Sequence, residues 1–266
     1  MKLTFIGGGV MGEAIIGALL NKGIVQAADI AVCDIAARRR RHLERTYRIK
    51  AVDSSAAAIT GSDIVVLAMK PQDFPAAAKG MHSRLKASQT VLSIMAGIST
   101  TTIRDRLGHE AIVRAMPNTP AQIGEGMTVW TATEAVSPQR RRSVQEVLGA
   151  LGQEIYVEDE KYINMATAIS GSGPAFIFLV MEALIDAAVH IGMRRDMATP
   201  IVIQTLLGSA RYAQASGKHP ADLRNMVTSP GGTTAEGLLA LEQAGIRAAF
   251  AEAIMAAYEK AKQLGG

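Results

Sequence analysis

The beginning of the chain constrains its fold more than any other segment. The apolar stretch LTFI is followed at once by GGGVMGEAI, in which Gly7, Gly9 and Gly12 have the spacing G-x-G-x-x-G. A glycine cluster between a strand and a helix lets the backbone approach a pyrophosphate, and it is the fingerprint of dinucleotide-binding domains. We therefore predict a cofactor-binding loop that consists of Gly7, Gly8, Gly9, Val10, Met11 and Gly12.

Strand and helix patterns alternate through the first half of the chain. Between Lys2 and about Val157, helical patterns separate the strand-like runs LTFI, DIAVCD, DIVVLAM, TVLSIMAG, AIVRAM, GMTVWTA and EIYV. This alternation is typical of a parallel sheet with crossover helices. After VEDEK only long helical patterns follow. We predict an α/β N-terminal Rossmann-like dinucleotide-binding domain over residues 1–158, followed by an all-α C-terminal domain over residues 159–266.

The end of the second strand bears on the choice of cofactor. Asp34 lies 22 positions beyond Gly12, where an acidic side chain binds the ribose 2′-hydroxyl of NAD. The basic run 38–41 follows on the next helix, and a guanidinium such as that of Arg38 could neutralise the 2′-phosphate of NADP. A solvated basic helix face explains the same arginines equally well. Both NADPH and NADH therefore stay open as cofactors, with Asp34 and Arg38 as the candidates that face the 2′ position.

Further candidates follow other predicted strands. Ligands of open α/β sheets bind beyond the carboxyl ends of the strands, so polar, glycine and proline residues at those ends are expected to line one crevice. The predicted cofactor-binding residues at these ends are Met69, Lys70, Pro71, Ala96, Gly97 and Asn118.

Composition excludes several other classes of protein. The net charge of +4 is modest, and aromatic residues make up only 4% of the chain, so we expect no nucleic-acid partner. A single cysteine, Cys33, precludes an internal disulfide and fits a reducing compartment, and the apolar start of the sequence is too short for a signal peptide, so we expect a cytoplasmic protein. The five histidines suggest no metal site. The apolar run PAFIFLVMEALIDAAVHIGM contains Glu182 and Asp186, and we interpret it as a buried helix and not as a membrane span.

A second motif lies near the end of the chain, in the segment NMVTSPGGTTAEGL. Pro230 followed by two glycines predicts a tight turn, and Thr233 followed by Glu236 predicts a capping box that opens a helix. The start of a helix has free N–H groups and the positive end of the helix dipole, which together attract anions. We therefore predict an anion site at this turn.

The motifs taken together resemble the pyrroline-5-carboxylate reductase family over essentially the whole chain. The resemblance rests on the order and spacing of IGGGVMG, LAMKPQDF, MAGIST, RAMPNTPA, SGSGPAF, GKHPADLRNMV and, above all, SPGGTT before a helix. It implies a Rossmann domain followed by a helical dimerisation domain, with pyrroline-5-carboxylate reduced to proline by NAD(P)H between them. It also implies a homodimer, and leaves open its assembly into a larger homo-oligomer.

The resemblance also implies roles for individual residues. The substrate carboxylate is expected at the SPGGTT turn, and the hydroxyl of Thr234 is expected near the imine nitrogen, as proton donor or relay. Glu160, in the acidic linker, is expected to face the iminium. Phe176 stands where relatives often have tyrosine, so this chain has no phenolic hydroxyl there. The expected substrate-binding residues are Ser229, Gly231, Gly232, Thr233 and Glu160.

Two other functions fit parts of the sequence. A β-hydroxyacid dehydrogenase of the 6-phosphogluconate type shares the glycine-rich start and the helical second domain. That resemblance requires a catalytic lysine on the first long helix, and the segment 175–191 has none. A dinucleotide-binding protein without catalytic activity would explain the fingerprint but not SPGGTT.

Overall fold

The computed structural model describes residues 1–264. Eight strands form the sheet: β1 (Leu3–Ile6), β2 (Ile30–Cys33), β3 (Lys50–Val52), β4 (Ile64–Leu67), β5 (Thr90–Ser93), β6 (Ile112–Met116), β7 (Gly126–Ala132) and β8 (Gly152–Tyr156). The α-helices are α1 (Val10–Asn21), α2 (Ala37–Tyr47), α3 (Ser55–Ala58), α4 (Phe74–Met81), α5 (Thr100–Leu107), α6 (Pro138–Gly149), α7 (Lys161–Ala166), α8 (Gly173–His190), α9 (Arg195–Ser216), α10 (Pro220–Met226), α11 (Thr233–Gln243) and α12 (Ile246–Gln263).

The strands form one sheet in the order β3-β2-β1-β4-β5-β6-β7-β8. Strands β1 to β6 are parallel, as the alternation of strands and helices predicts. Strand β7 runs antiparallel to β6, and β8 is parallel to β7. The connection between β6 and β7 contains only a short 3₁₀ turn, Thr119–Ile123, which is too short for the crossover that a parallel pair requires.

The two faces of the sheet bury separate apolar clusters. Alternate residues of a strand point to opposite faces. Phe5 therefore packs in the cluster with α1, α2 and α6, whereas its neighbour Ile6 packs in the cluster with α3, α4 and α5. Because each fully buried Leu, Ile or Phe side chain contributes about 1.5–3 kcal/mol, these two layers stabilise the sheet.

By compactness the chain divides into two units. The first unit comprises Met1–Ser172 and the end of the chain from Ala257, and it contains the sheet. The second unit, Gly173–Ala256, is entirely helical, with α8 packed on α9. Helix α7 thus belongs to the sheet unit by its contacts, although it follows the boundary expected between residues 158 and 159. The expected boundary concerns functional domains, and it stays a prediction.

Helix α8 differs from its expected environment. The sequence predicts a buried helix. In the structure of residues 1–264, however, every residue of α8 is at least partly exposed. Its apolar side chains Ile177, Phe178 and Leu179 are exposed. The segment Lys161–His190 is long and apolar enough to cross a membrane by length and composition alone, a property that core helices of soluble proteins share. The expectation of burial within the chain was wrong, because an apolar sequence does not specify whether its own chain or a partner covers it.

Candidate functional site

The crevice predicted at the carboxyl ends of the strands lies where the strand order changes direction. Strand β1 pairs with β2 on one side and with β4 on the other. The segments that follow β1 and β4 therefore diverge, and they leave a gap into which a ligand of an open α/β sheet binds. Gly7 and Gly9 line the cleft at this point, together with Ala68, Met69 and Lys70.

The three fingerprint glycines have different physical roles. Gly7 has a φ of +99°, and a Cβ there would lie 2.7 Å from the backbone nitrogen of Met69. A Cβ on Gly12 would lie 2.7 Å from the carbonyl oxygen of Gly7, so this glycine allows α1 to pack against the loop. A Cβ on Gly9 would meet no atom within 4 Å. Gly7 and Gly12 are thus required by the fold, whereas the space beside Gly9 is open to a ligand.

The start of α1 is suited to an anion. Gly9 is the N-cap and supplies no side chain to the helix terminus. Among residues 1–264, the amides of Val10, Met11 and Gly12 have no hydrogen-bond acceptor. The Met11 side chain packs against the core, so only its backbone is available to a ligand. Free amides and the helix dipole together fit the pyrophosphate of a dinucleotide.

A cleft of about 610 Å³ lies beside the glycine loop. This volume is within the usual range for small-molecule sites. Five of the predicted cofactor-binding residues line it, namely Gly7, Gly9, Asp34, Met69 and Lys70. Residues that the sequence reasoning did not select also line it, among them Asp53, Ser55, Gln72 and Asp73. Asp53 directly follows β3, a three-residue strand that was not recognised in the sequence.

Asp34 is held in this cleft by two backbone amides. Its Oδ2 accepts a hydrogen bond from the Gly8 amide at 2.9 Å, and its Oδ1 accepts one from Ala36 at 2.8 Å. The side chain of Arg38, the other candidate for the 2′ position, is exposed and makes no hydrogen bond or ion pair within residues 1–264. Arg38 is not among the residues that line this cleft, so its role in cofactor binding stays a prediction.

The remaining predicted cofactor residues lie at the same edge of the sheet. Pro71 begins a short 3₁₀ turn after β4. Gly97 follows β5 with a φ of +77°, and its Cα faces Leu264 so closely that a Cβ would lie 2.5 Å from the Leu264 Cβ. Asn118 follows β6, and its Oδ1 accepts a hydrogen bond from the Met127 amide at 2.9 Å. The Asn118 side chain is thereby fixed, with its amide nitrogen available to a ligand.

Glu160 makes contacts that its sequence position did not suggest. Its Oε1 accepts hydrogen bonds from Arg114 Nη1 at 2.6 Å and from the Thr100 amide at 2.9 Å. Its Oε2 accepts one from the Thr100 hydroxyl at 2.7 Å. Both carboxylate oxygens therefore bind groups of the sheet unit, and the expected contact of Glu160 with an iminium stays a prediction.

The SPGGTT turn lies in the helical unit, where it precedes α11. Gly231 has a φ of +66°, and the Gly232 amide donates to the Ser229 carbonyl at 3.1 Å. The predicted capping box is wrong, because Gly232 is the N-cap and Thr233 is already the first helical residue, with no side-chain cap hydrogen bond. The amides of Thr233 and Thr234 have no acceptor within residues 1–264. Four predicted residues of this turn and Thr234 are thus brought together around open N–H groups.

The sheet topology, the glycine loop and the cleft define a Rossmann-like dinucleotide-binding protein, and the matches to known families make it an NAD(P)H-dependent oxidoreductase. Residues 2–97 match the family described as NADP oxidoreductase, coenzyme F420-dependent. Residues 160–264 match the family described as pyrroline-5-carboxylate reductase dimerisation. The chain belongs to the pyrroline-5-carboxylate reductase family.

Relatives that match over the full length of the chain support its membership of this family. A pyrroline-5-carboxylate reductase of Synechocystis sp. is 37% identical over 265 residues, which cover 100% of this chain and 98% of the relative. The crystal structure of Plasmodium falciparum pyrroline carboxylate reductase with NADP bound is similar with a TM-score of 0.92 at 30% identity, over 100% of this chain and 98% of that one. The structure of a pyrroline-5-carboxylate reductase from Coxiella burnetii gives a TM-score of 0.89 at 34% identity, with the same coverage.

Proposed function

We propose that this chain reduces the cyclic imine 1-pyrroline-5-carboxylate to L-proline with NAD(P)H, the last step of proline biosynthesis. The observation that carries this proposal is the SPGGTT turn, whose open amides at a helix start are suited to an anion and lie within the segment that matches the family. A dinucleotide-binding protein that does not act on a carboxylate substrate has no use for a second such site.

The glycine loop and the strand ends bind the cofactor in this proposal. The pyrophosphate lies against the amides at the start of α1, beside the open face of Gly9. Met69, Lys70 and Pro71 line the wall after β4, while Ala96, Gly97 and Asn118 line the ends of the next two strands. The cofactor supplies the hydride, so the protein needs no strong acid or base for that transfer.

The SPGGTT turn binds the substrate carboxylate in this proposal. Ser229, Gly231, Gly232 and Thr233 surround it with amides and hydroxyls, which suit a carboxylate better than a neutral group. The hydride adds to the imine carbon and a proton adds to the nitrogen. Thr234 is half-buried and lies one residue inside the helix, and we assign its hydroxyl to the imine nitrogen as proton donor or relay.

The helical segment forms a homodimer in this proposal. The exposed apolar side chains of α8 supply a surface that a second copy would remove from water, and the match to a dimerisation family covers this helix. We also propose that the functional domains meet between residues 158 and 159. The protein is cytoplasmic in this proposal. Molecular mass in solution distinguishes a dimer from a larger homo-oligomer.

A single assay separates the proposed function from its two competitors. In one arm, purified protein is mixed with NADH or NADPH and 1-pyrroline-5-carboxylate, and oxidation of the cofactor is followed. In the other arm, the protein is mixed with NAD+ or NADP+ and a 3-hydroxyacid, and reduction of the cofactor is followed. We expect turnover only with the imine. Turnover only with the 3-hydroxyacid would establish the dehydrogenase, and cofactor binding without any turnover would establish the non-catalytic protein.

A further inference from the structure

We propose that the part of the cleft beside Asp34 is built for a ribose with a free 2′-hydroxyl, so that this chain binds NADH more tightly than NADPH. The inference rests on the proposed position of the cofactor. It goes further by choosing between two dinucleotides that differ in one phosphate group.

The Asp34 carboxylate cannot easily turn away from a ligand. One of its oxygens accepts from the Gly8 amide and the other from the Ala36 amide, so both ends of the group are fixed to backbone. Each oxygen keeps a second lone pair that can accept from a ribose hydroxyl. A 2′-phosphate has no proton to donate in its dianionic form, and it would meet a fixed negative charge at hydrogen-bond distance.

A neighbouring carboxylate, Asp53, occupies the guanidinium of Arg40. Asp53 lines the same cleft from the end of the neighbouring strand. Arg40 lies 3.8 Å from the Asp53 carboxylate and donates to the carbonyl of Asp34 at 2.7 Å and to that of Ile35 at 3.1 Å. Its guanidinium therefore already balances Asp53 and binds backbone. The Asp34 charge is left without a cationic partner among residues 1–264.

Arg39 is also occupied, by the glycine loop itself. Its guanidinium donates to the carbonyl oxygens of Gly8 and Gly9 and forms an ion pair with Glu13. These contacts fix the loop that is expected to hold the pyrophosphate, which both cofactors contain. Arg39 therefore contributes to the binding of either dinucleotide. Of the arginines near the end of β2, Arg38 alone is both unpaired within residues 1–264 and in the first turn of α2.

The test is equilibrium binding without substrate. The fluorescence of reduced nicotinamide is titrated against the full-length protein for NADH and for NADPH, so the result does not depend on turnover. We expect the wild type to bind NADH at least about tenfold more tightly, which corresponds to about 1.4 kcal/mol. Asp34→Asn removes the charge but keeps one acceptor, and we expect it to reduce this ratio about tenfold. Tighter binding of NADPH by the wild type would overturn the proposal.

Three controls separate selection from other effects. Asp73→Asn removes a charge elsewhere in the same cleft and should leave the ratio unchanged. Arg39→Ala should weaken both cofactors by a similar factor, whereas Arg38→Ala should weaken NADPH alone. Equal losses of NADH and NADPH affinity in Asp34→Asn would show that Asp34 only anchors the loop, and they would refute the proposal. A wild-type protein that shows the expected preference for NADH but does not reduce the imine would instead contradict the proposed function and leave this inference intact.

Discussion

Arg114 and Glu160 form an ion pair between the middle of the sheet and the start of α7, with Nη1 2.6 Å from Oε1. The Arg114 side chain is 2% exposed, and its Nη2 donates to Asn164 Oδ1 at 2.8 Å. Its Nε has no partner among residues 1–264. A buried guanidinium depends on its counter-ion, because desolvation of an unpaired charge is costly. Through Thr100, the same carboxylate fixes the first residue of α5, directly after the predicted cofactor loop at Ala96 and Gly97.

We expect Glu160→Gln to lower the free energy of unfolding by about 3 kcal/mol, because it leaves the Arg114 charge buried without a counter-ion. Chemical denaturation at neutral pH measures this change. Asp159→Asn is the control, since its pair with Lys161 is exposed and screened by water, so that we expect stability to stay nearly unchanged. If Glu160→Gln has the same free energy of unfolding as Asp159→Asn but a raised KM for the imine, the result would contradict the structural role and support a contact between Glu160 and the substrate.

We expect Thr234→Ala to lower kcat/KM for the imine about a hundredfold, which is the usual effect of losing a positioned proton-transfer group. Cofactor affinity should stay the same, because Thr234 lies in the helical unit and not in the cleft beside the glycine loop. Stopped-flow measurement of hydride transfer at saturating imine isolates this step.

The adjacent Thr233→Ala variant is the control for this prediction. Thr233 makes no cap hydrogen bond in the structure, so its loss should change stability by less than about 0.5 kcal/mol. It should raise KM for the imine more than it lowers kcat, since its proposed contact is with the carboxylate. Hydride transfer at the wild-type rate in Thr234→Ala would assign the proton to solvent or to substrate that binds already protonated.

Two glycine substitutions are expected to have opposite effects. Gly7→Ala should destabilise the fold by about 2–4 kcal/mol, because the residue has a φ of +99° and the methyl group would overlap backbone of Met69. Gly9→Ala should leave thermal stability nearly unchanged but weaken both dinucleotides at least about tenfold, because its methyl group enters the open space beside the loop. Thermal unfolding and cofactor titration of both variants test this pair. Unaltered cofactor affinity in Gly9→Ala would show that the loop does not hold the pyrophosphate.

The Glu13 cluster predicts a dependence of stability on pH. Burial acts to raise the pKa of Glu13, but hydrogen bonds from His42 and Arg39 outweigh it and hold the pKa below its usual value. A depressed pKa stabilises the fold above the unfolded value of about 4.3, and this contribution is lost as the pH falls through the folded value.

We therefore expect Glu13→Gln to be less stable than the wild type by about 1 kcal/mol at pH 7, with a smaller difference at about pH 3.5. Urea unfolding at the two pH values measures the difference. Glu44→Gln is the control, since Glu44 is exposed on α2 and its carboxylate has no partner within residues 1–264. A difference for Glu13→Gln that does not shrink at low pH would contradict the assignment.

Much of the sheet unit could be predicted from local sequence. The apolar runs of β1, β4 and β5 are fully buried, and the glycine spacing after β1 specifies the strand–loop–helix geometry through contacts between near neighbours. Strand β3 was missed because three residues carry too little pattern. With it, Asp53 was missed as part of the cleft.

The turn before α11 shows where sequence patterns reach their limit. The pattern TTAE fits a capping box with Thr233 as the N-cap. In the structure the N-cap is Gly232, so the helix begins one residue earlier than this pattern predicts. A helix start can shift by one residue at little cost in free energy, because several backbone amides stay unpaired in either case. The anion site at this turn stays a prediction, and it depends on those open amides and not on which residue is the cap.

The sequence by itself determined the class of fold, through the alternation of strand and helix patterns along the chain, and the glycine loop, through residues that are near neighbours. Only the tertiary structure decided the partners of the charged side chains. Glu160 binds Arg114, 46 positions away, and Arg39 binds Glu13, 26 positions away. Such pairs depend on the packing of whole elements, and ion pairing acts between any opposite charges that packing brings together, so no local pattern specifies the partner.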